Sequence, residues 1–201
     1  MIEMDEQMLL NHYNSIFDQK PEFSMKLGLK EAKKLKIYVY YPNSKHDFYK
    51  LVTSGCTFLY QDRNEYMMFL SKDTPVVKGT ADKNLIFYPL FLLKASLIGI
   101  DQGLFLSYYD LAELSEEEAR GVIYLPPFAI ENEEVMKLIY KDKDINFLQV
   151  MPLSSKQFEF AKRHDTKRFS SIFYQMNKKK EIVKMNPFAD DYLKRDDYLK
   201  F

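Results

Sequence analysis

The chain has 201 residues, and its 29 basic and 29 acidic side chains cancel to a net charge of zero. The length suits one domain with a well-buried core, and 46% hydrophobic and 15% aromatic residues exclude a largely disordered chain. The lack of a basic excess argues against a nucleic-acid partner. Cys56 is the single cysteine, so no internal disulfide can form, which is typical of a reducing compartment.

The sequence contains neither a typical secretion signal nor a segment suited to cross a membrane. The chain starts Met-Ile-Glu-Met-Asp-Glu, which is acidic and unlike a secretory signal. The longest apolar stretch, residues 85–100, is too short to span a bilayer and is interrupted by Pro89, Lys94 and Gly99. We therefore expect a cytoplasmic protein without a membrane partner.

The first half of the chain is predicted to hold one helix and an antiparallel meander. Apolar residues recur at helical spacing over residues 2–17. Three runs rich in aromatic and β-branched residues predict strands at 37–41, 49–58 and 66–70. Gly55 is expected to mark a bulge or a point of close backbone approach. Tyr38 and Tyr40 share one face of the first strand, which is either an aromatic surface for a partner or a face covered by a helix.

The second half alternates a buried helix with further strands. Residues 90–98 form the apolar body of the predicted helix, and the strands are expected at 104–109, 122–125 and 145–151, the last closed by Pro152. The segment Ser154-Ser-Lys-Gln157 matches a capping box and predicts a helix through His164. The last residues of the chain form a charged extension.

Side chains that carry catalysis are sparse. His12, His46 and His164 have no metal-ligand spacing with one another or with Cys56, and the glycines do not form a phosphate-binding loop. We therefore expect no metal and no cofactor. A small hydrolase that uses Ser54 with His46 is a third hypothesis, and no Gly-x-Ser-x-Gly segment supports it. The chain is expected not to be an enzyme.

Charge is neutral overall but segregated along the chain. Residues 110–134 carry eight acids and one base, a balance of −7, and residues 156–184 carry nine bases and three acids, a balance of +6. Blocks of opposite sign steer association with charged partners. The candidate partner-binding residues are the first acids of the acidic block: Asp110, Glu113, Glu116, Glu117 and Glu118.

The order of short segments resembles the suppressor of fused domain family in its bacterial form. Leu51-Val-Thr-Ser-Gly-Cys-Thr57 resembles a Val-Thr-x-Gly-Met-Ser segment of that family, and Phe147-Leu-Gln-Val-Met-Pro-Leu153 resembles its closing strand and Pro-Leu turn. The resemblance assigns a framework role to Thr53, Gly55, Pro152 and Leu153. It covers roughly residues 36–174. The predicted domain organisation is an N-terminal helical segment at 1–35, a suppressor-of-fused-like domain at 36–176 and the charged extension at 177–201.

The resemblance implies an α+β fold, a single domain with a mixed, mainly antiparallel sheet flanked by helices. It also implies function by protein binding. Bacterial members are similar to immunity proteins of polymorphic toxin systems, which neutralise a cognate toxin by forming a complex with it. The animal relative clamps a peptide that adds a strand to a sheet. Toxin neutralisation is the leading hypothesis, and a regulatory peptide-binding module is the alternative. The oligomeric state stays open.

Overall fold

The chain folds around a mixed β-sheet with helices packed on both of its faces. The computed structural model describes residues 2–26, 35–59, 64–72, 88–89, 91–93, 95–96, 121–127, 130, 138–140, 143–153, 155–163 and 171. In chain order, these residues form α1 (Ile2–Phe17), β1 (Phe23–Lys26), β2 (Lys36–Tyr40), β3 (Phe48–Ser54), α2 (Cys56–Leu59), β4 (Asn64–Ser71), the helical residues 88–89, 91–93 and 95–96, together called α3, then β5 (Gly121–Leu125), β6 (Leu138–Tyr140), β7 (Lys143–Leu153) and α4 (Ser155–Arg163).

Six strands lie side by side in the order β1-β2-β3-β4-β7-β5. Strands β1 to β4 form an antiparallel meander, as predicted for β2 to β4. Strand β7 then runs parallel to β4 and antiparallel to β5, and its first residues also pair with β6. The predicted fold class, a single domain with a mixed and mostly antiparallel sheet, is confirmed.

Alternation along the strands divides the core into two layers, because successive side chains point to opposite faces of a sheet. One layer joins Ile37 and Val39 of β2 to Phe91 and Leu92 of α3. The other layer joins the opposite face of the sheet to Leu9, Tyr13, Ile16 and Phe17 of α1. None of the described helices is long and apolar enough to cross a membrane.

Helix α1 covers the face of β2 that carries Tyr38 and Tyr40. These side chains lie in the same core layer as α1, and the two residues are only 5% and 0% exposed. The helix therefore covers that face of the sheet, and the alternative of an exposed aromatic surface there is wrong.

Several predicted boundaries were displaced for local reasons. Strand β3 ends at Ser54 rather than at residue 58, because Gly55 adopts a φ of 116° and α2 begins directly after it. Strand β7 continues through Pro152 to Leu153, which pair with Val122 and Gly121 of β5. Helices α1 and α4 confirm their predictions, and β1 and β6 were not predicted. The strand predicted at 104–109 and the extension at 177–201 lie outside the described residues.

Candidate protein-binding site

The segment Thr53-Ser-Gly-Cys-Thr57 wraps around the buried carboxylate of Glu65. The Thr53 hydroxyl donates to Glu65 Oε2 at 2.6 Å, and the backbone N–H groups of Gly55 and Thr57 both donate to Oε1 at 3.0 Å. Glu65 itself, on the neighbouring strand β4, is completely buried. Since the amides of Gly55 and Thr57 converge on one oxygen, the positive φ of Gly55 is the local feature that permits this arrangement.

The hydrogen bonds of this segment also connect several elements of the fold. Burial raises the pKa of the Glu65 carboxyl, and the hydrogen bonds from Thr53, Thr57 and Gly55 oppose that rise. The Thr53 hydroxyl also accepts the Tyr66 N–H at 2.8 Å, and the Thr53 carbonyl accepts the Tyr13 hydroxyl at 2.7 Å. One residue therefore joins β3, β4 and α1.

The neighbouring thiol is not a reactive group. Cys56 is 1% exposed, and burial, together with the nearby Glu65, raises the pKa of its thiol far above the ordinary value. A thiolate nucleophile needs the opposite environment, with a lowered pKa and access to solvent. Cys56 therefore packs as a small apolar residue.

The other predicted framework residues lie at the end of strand β7, between β4 and β5 in the sheet. Pro152 and Leu153 are both buried at the end of β7, where they pair with the first residues of β5. They contribute to packing inside the fold.

A second polar centre lies under the loop between β2 and β3. The Lys50 ammonium donates to the carbonyl of Tyr41 at 2.7 Å and to that of His46 at 3.4 Å. It lies 5.9 Å from the centre of the Phe17 ring and 5.6 Å from that of Phe48. Burial lowers the pKa of Lys50 to about 8. Lys50 thereby holds the loop at both of its ends, at Tyr41 and at His46.

The same loop is also braced from within. The Asn43 side chain accepts the backbone N–H of Lys45 at 3.1 Å and that of His46 at 2.7 Å, and it donates to the Phe17 carbonyl at 2.9 Å. Gln19 donates to the Tyr41 carbonyl at 2.8 Å. The loop therefore presents a fixed shape on the surface.

The geometry gives no support to the Ser54 and His46 pair. Ser54 is the last residue of β3, whereas His46 precedes the first residue of that strand. A seven-residue strand places its two ends roughly 20 Å apart. Among the residues that the structure describes, no group of three or more His, Cys, Asp and Glu side chains is arranged to hold a metal ion.

The two edge strands of the sheet, β5 and β1, differ in their exposure to solvent. At one edge, the β5 residues from Val122 to Leu125 are at most 1% exposed, so this edge is closed to solvent. At the other edge, β1 pairs with β2 on one side, and the described residues provide no strand on its other side. Ser24 and Lys26 of β1 are exposed, and Phe23 and Met25 are half-buried. Strand β1 is thus the accessible edge of the described sheet.

Beside this edge lies a row of three half-buried aromatic rings. The ring centres of Phe23 and Tyr41 are 6.5 Å apart, and those of Tyr41 and Tyr49 are 5.4 Å apart, both in edge-on geometry. The three rings pack at the border of the α3 core layer. Half-exposed tyrosine beside an accessible strand is typical of protein-binding surfaces, because such rings bury large areas with little loss of rotamer freedom.

The sequence indicated a different surface. Asp110, Glu113, Glu116, Glu117 and Glu118 lie outside the described residues, so their candidate role stays a prediction. The accessible edge β1 was missed, because its four residues are flanked by Pro21 and Gly28 and read as a turn region. The alternation of apolar Phe23 and Met25 with polar Ser24 and Lys26 was the available signal.

Comparison with known proteins identifies the family. The family model for Suppressor of fused protein (SUFU) matches residues 31–186. The chain belongs to the suppressor of fused family. No functionally curated protein matches this suppressor of fused sequence.

Three solved suppressor of fused structures share the fold at low sequence identity. A SUFU homologue from Neisseria gonorrhoeae superposes with a TM-score of 0.66 at 14% identity, over 96% of this chain and 99% of the homologue. The Sufu–Fu complex gives 0.60 at 10% identity, over 92% and 91% of the two chains. Drosophila Suppressor of Fused gives 0.54 at 11% identity, over 85% of this chain and 47% of that one.

Proposed function

We propose that this suppressor of fused protein is a cytoplasmic immunity protein, which neutralises a cognate bacterial toxin by binding it and performs no catalysis of its own. The chain belongs to the suppressor of fused family, and one solved structure with the same fold is the Sufu–Fu complex. This supports a role in protein binding. The single observation that carries the proposal on this chain is the accessible edge β1 with the aromatic row of Phe23, Tyr41 and Tyr49 beside it.

The chemistry of the buried polar groups supports binding over catalysis. Glu65 and Lys50 are both fully buried, and their polar atoms are engaged by Thr53, by backbone amides or by loop carbonyls. Neither group is exposed to solvent. Both instead hold backbone segments in place, as a rigid binding scaffold requires.

The acidic block is the second proposed contact surface. Asp110, Glu113, Glu116, Glu117 and Glu118 suit a basic toxin such as a nuclease, because complementary charge raises the association rate and rejects wrong partners.

Co-expression tests the proposal. A toxin encoded beside this chain should kill the host cell alone and be tolerated when this chain is present. Reversal of Glu116, Glu117 and Glu118 to lysine should weaken the toxin complex by at least about tenfold, since several charge pairs become repulsive. A toxin that kills equally well in the presence of this chain would contradict the proposal.

A second candidate function is favoured by the same edge. As a regulatory module, the chain would capture an extended peptide as an added strand beside β1, with main-chain hydrogen bonds supplying affinity. Ser24→Pro removes a backbone donor from β1, which a proline disrupts, and Ser24→Thr is the matched control that retains the donor. Strand addition predicts that the proline variant loses the partner and that the lysine reversals keep it. The opposite pattern would assign binding to the acidic block.

A further inference from the structure

The accessible edge carries charges in a self-complementary order. Glu22, which immediately precedes β1, and Ser24 and Lys26 within β1 are exposed, and they alternate with the half-buried Phe23 and Met25. The acid and the base therefore stand two residues before and two residues after Ser24.

This order matches an antiparallel partner with the same sequence. When two copies of β1 run antiparallel about a two-fold axis at Ser24, Glu22 of each copy lies opposite Lys26 of the other. Phe23 of each copy then lies opposite Met25 of the other, and Ser24 faces itself. Opposite charges and apolar pairs directly across two strands are stabilising, and a two-fold axis makes every such contact twice.

We propose that two copies of this chain associate through β1 in this register and form one continuous sheet. The occupant of the edge is a second copy of the chain, and the charge pairs between Glu22 and Lys26 select the register. A shift by one residue would separate the charges and turn each half-buried side chain toward the opposite face.

The surroundings of the edge leave these charges available. Lys26 lies close enough to Glu6 of α1 to help to lower the pKa of that carboxyl, but Glu6 already forms an ion pair with Lys36 and accepts the Tyr38 hydroxyl at 2.6 Å. Lys26 stays exposed. Glu22 lies near Tyr41, where its charge contributes to a raised pKa of that phenol, and it is exposed as well.

The strength of the association follows from its size. Stable protein complexes bury about 1,200–2,000 Å², whereas an edge of four or five residues buries much less. We therefore expect a weak, reversible dimer, which added salt weakens further because it screens the exposed charges. Because the dimer occupies β1, it excludes any partner that adds a strand at the same edge.

Charge exchange tests the proposal on the isolated full-length chain. Sedimentation equilibrium from low concentration to about 1 mM should show a monomer–dimer equilibrium. Glu22→Lys or Lys26→Glu alone should raise the dissociation constant by about tenfold, since two attractive pairs become repulsive. The double variant Glu22→Lys/Lys26→Glu should restore the parent value, because it re-forms both pairs with their signs exchanged.

The controls separate this interface from general charge effects. Lys45→Glu changes the same kind of charge on the exposed loop between β2 and β3 and should leave the dimer unchanged. A chain that stays monomeric at all concentrations overturns the proposal. So does a dimer that ignores both single variants or is not restored by the double variant. Neither result depends on toxin binding, so the proposal and the proposed function fail independently.

Discussion

At the scale of single residues, Thr53 links three elements of the fold through its hydroxyl and its carbonyl. Its hydroxyl is at once a donor to the Glu65 carboxylate and an acceptor from the Tyr66 N–H. A hydroxyl is the smallest group that can do both, and valine of the same shape can do neither. The loss would leave a buried carboxylate with fewer donors and a buried amide without this partner.

Thr53→Val is therefore expected to lower the free energy of unfolding by about 2–4 kcal/mol, because each buried group left without its partner costs roughly 1–3 kcal/mol. Ser54→Ala is the matched control, since this adjacent hydroxyl is equally buried and makes no hydrogen bond that the described contacts include. Urea unfolding followed by circular dichroism measures both. Equal stabilities of the two variants would contradict the role assigned to Thr53.

The sequence predicted the special backbone position at Gly55 but not its partner, the buried carboxylate of Glu65. The order Thr53-Ser-Gly55 marked a special backbone position, because glycine between two strand-like runs predicts a bulge or a close approach. The acid that fills the position, Glu65, follows Asn64 and turn-type residues and looks like a surface charge in sequence. Local pattern carries no information about which charged residue a neighbouring strand will bury.

At the scale of elements, α1 acts as the cover of one sheet face. Its apolar stripe packs on side chains from β2, β3, β4 and β7, and its polar contacts lock its position along β2. The ion pair between Glu6 and Lys36 holds its first turns, and Tyr40 donates to Asn14 near its end at 3.0 Å. Helix α1 is therefore an integral part of the hydrophobic core.

Leu9→Ala should destabilise the protein by about 2–4 kcal/mol, since the removed side chain is completely buried between α1 and the sheet. Ser15→Ala, on the exposed side of the same helix, should change stability by less than about 0.5 kcal/mol. Thermal unfolding of both variants measures the difference. A loss for Leu9→Ala that is no larger than for Ser15→Ala would mean that α1 does not contribute to the cooperative unit.

The positions of helices and strands were easier to predict than the pairing of the strands. Helix α1, strands β2 to β4 and helix α4 follow from periodicity over five or more residues and from capping chemistry. Strands β1 and β6 have four and three residues, which is too few for a pattern. The parallel pairing of β4 with β7 joins segments about eighty residues apart, for example Asn64 with Asn146, and no local signal encodes it.

At the scale of the whole molecule, the buried ionisable groups shape the response to alkali. Burial lowers the pKa of Lys50 from 10.5 to about 8, so that above pH 8 the unfolded chain binds more protons at this residue than the folded chain does. Stability contributed by Lys50 therefore increases as the pH rises from about 8. Burial raises the pKa of Cys56 above its ordinary 9.0, which opposes this gain from about pH 9.

Tyrosines set the upper limit of the alkaline range. Burial raises the pKa values of Tyr13, Tyr38 and Tyr40 well above 10.0. Their phenols stay protonated in the folded chain while those of the unfolded chain ionise, so stability falls above about pH 10. Within the alkaline range, stability should be highest near pH 9, between the range governed by Lys50 and the range governed by the tyrosines.

Urea unfolding at a series of pH values from 7 to 11 tests this profile. The parent chain should gain stability between about pH 8 and pH 9, and Lys50→Met should lose that gain because it has no ammonium to deprotonate. Lys45→Met, which removes an exposed ammonium from the adjacent loop, should keep it. A gain that survives in Lys50→Met would show that another group causes it. Absence of any gain in the parent chain would mean that solvent reaches the Lys50 ammonium in the folded state.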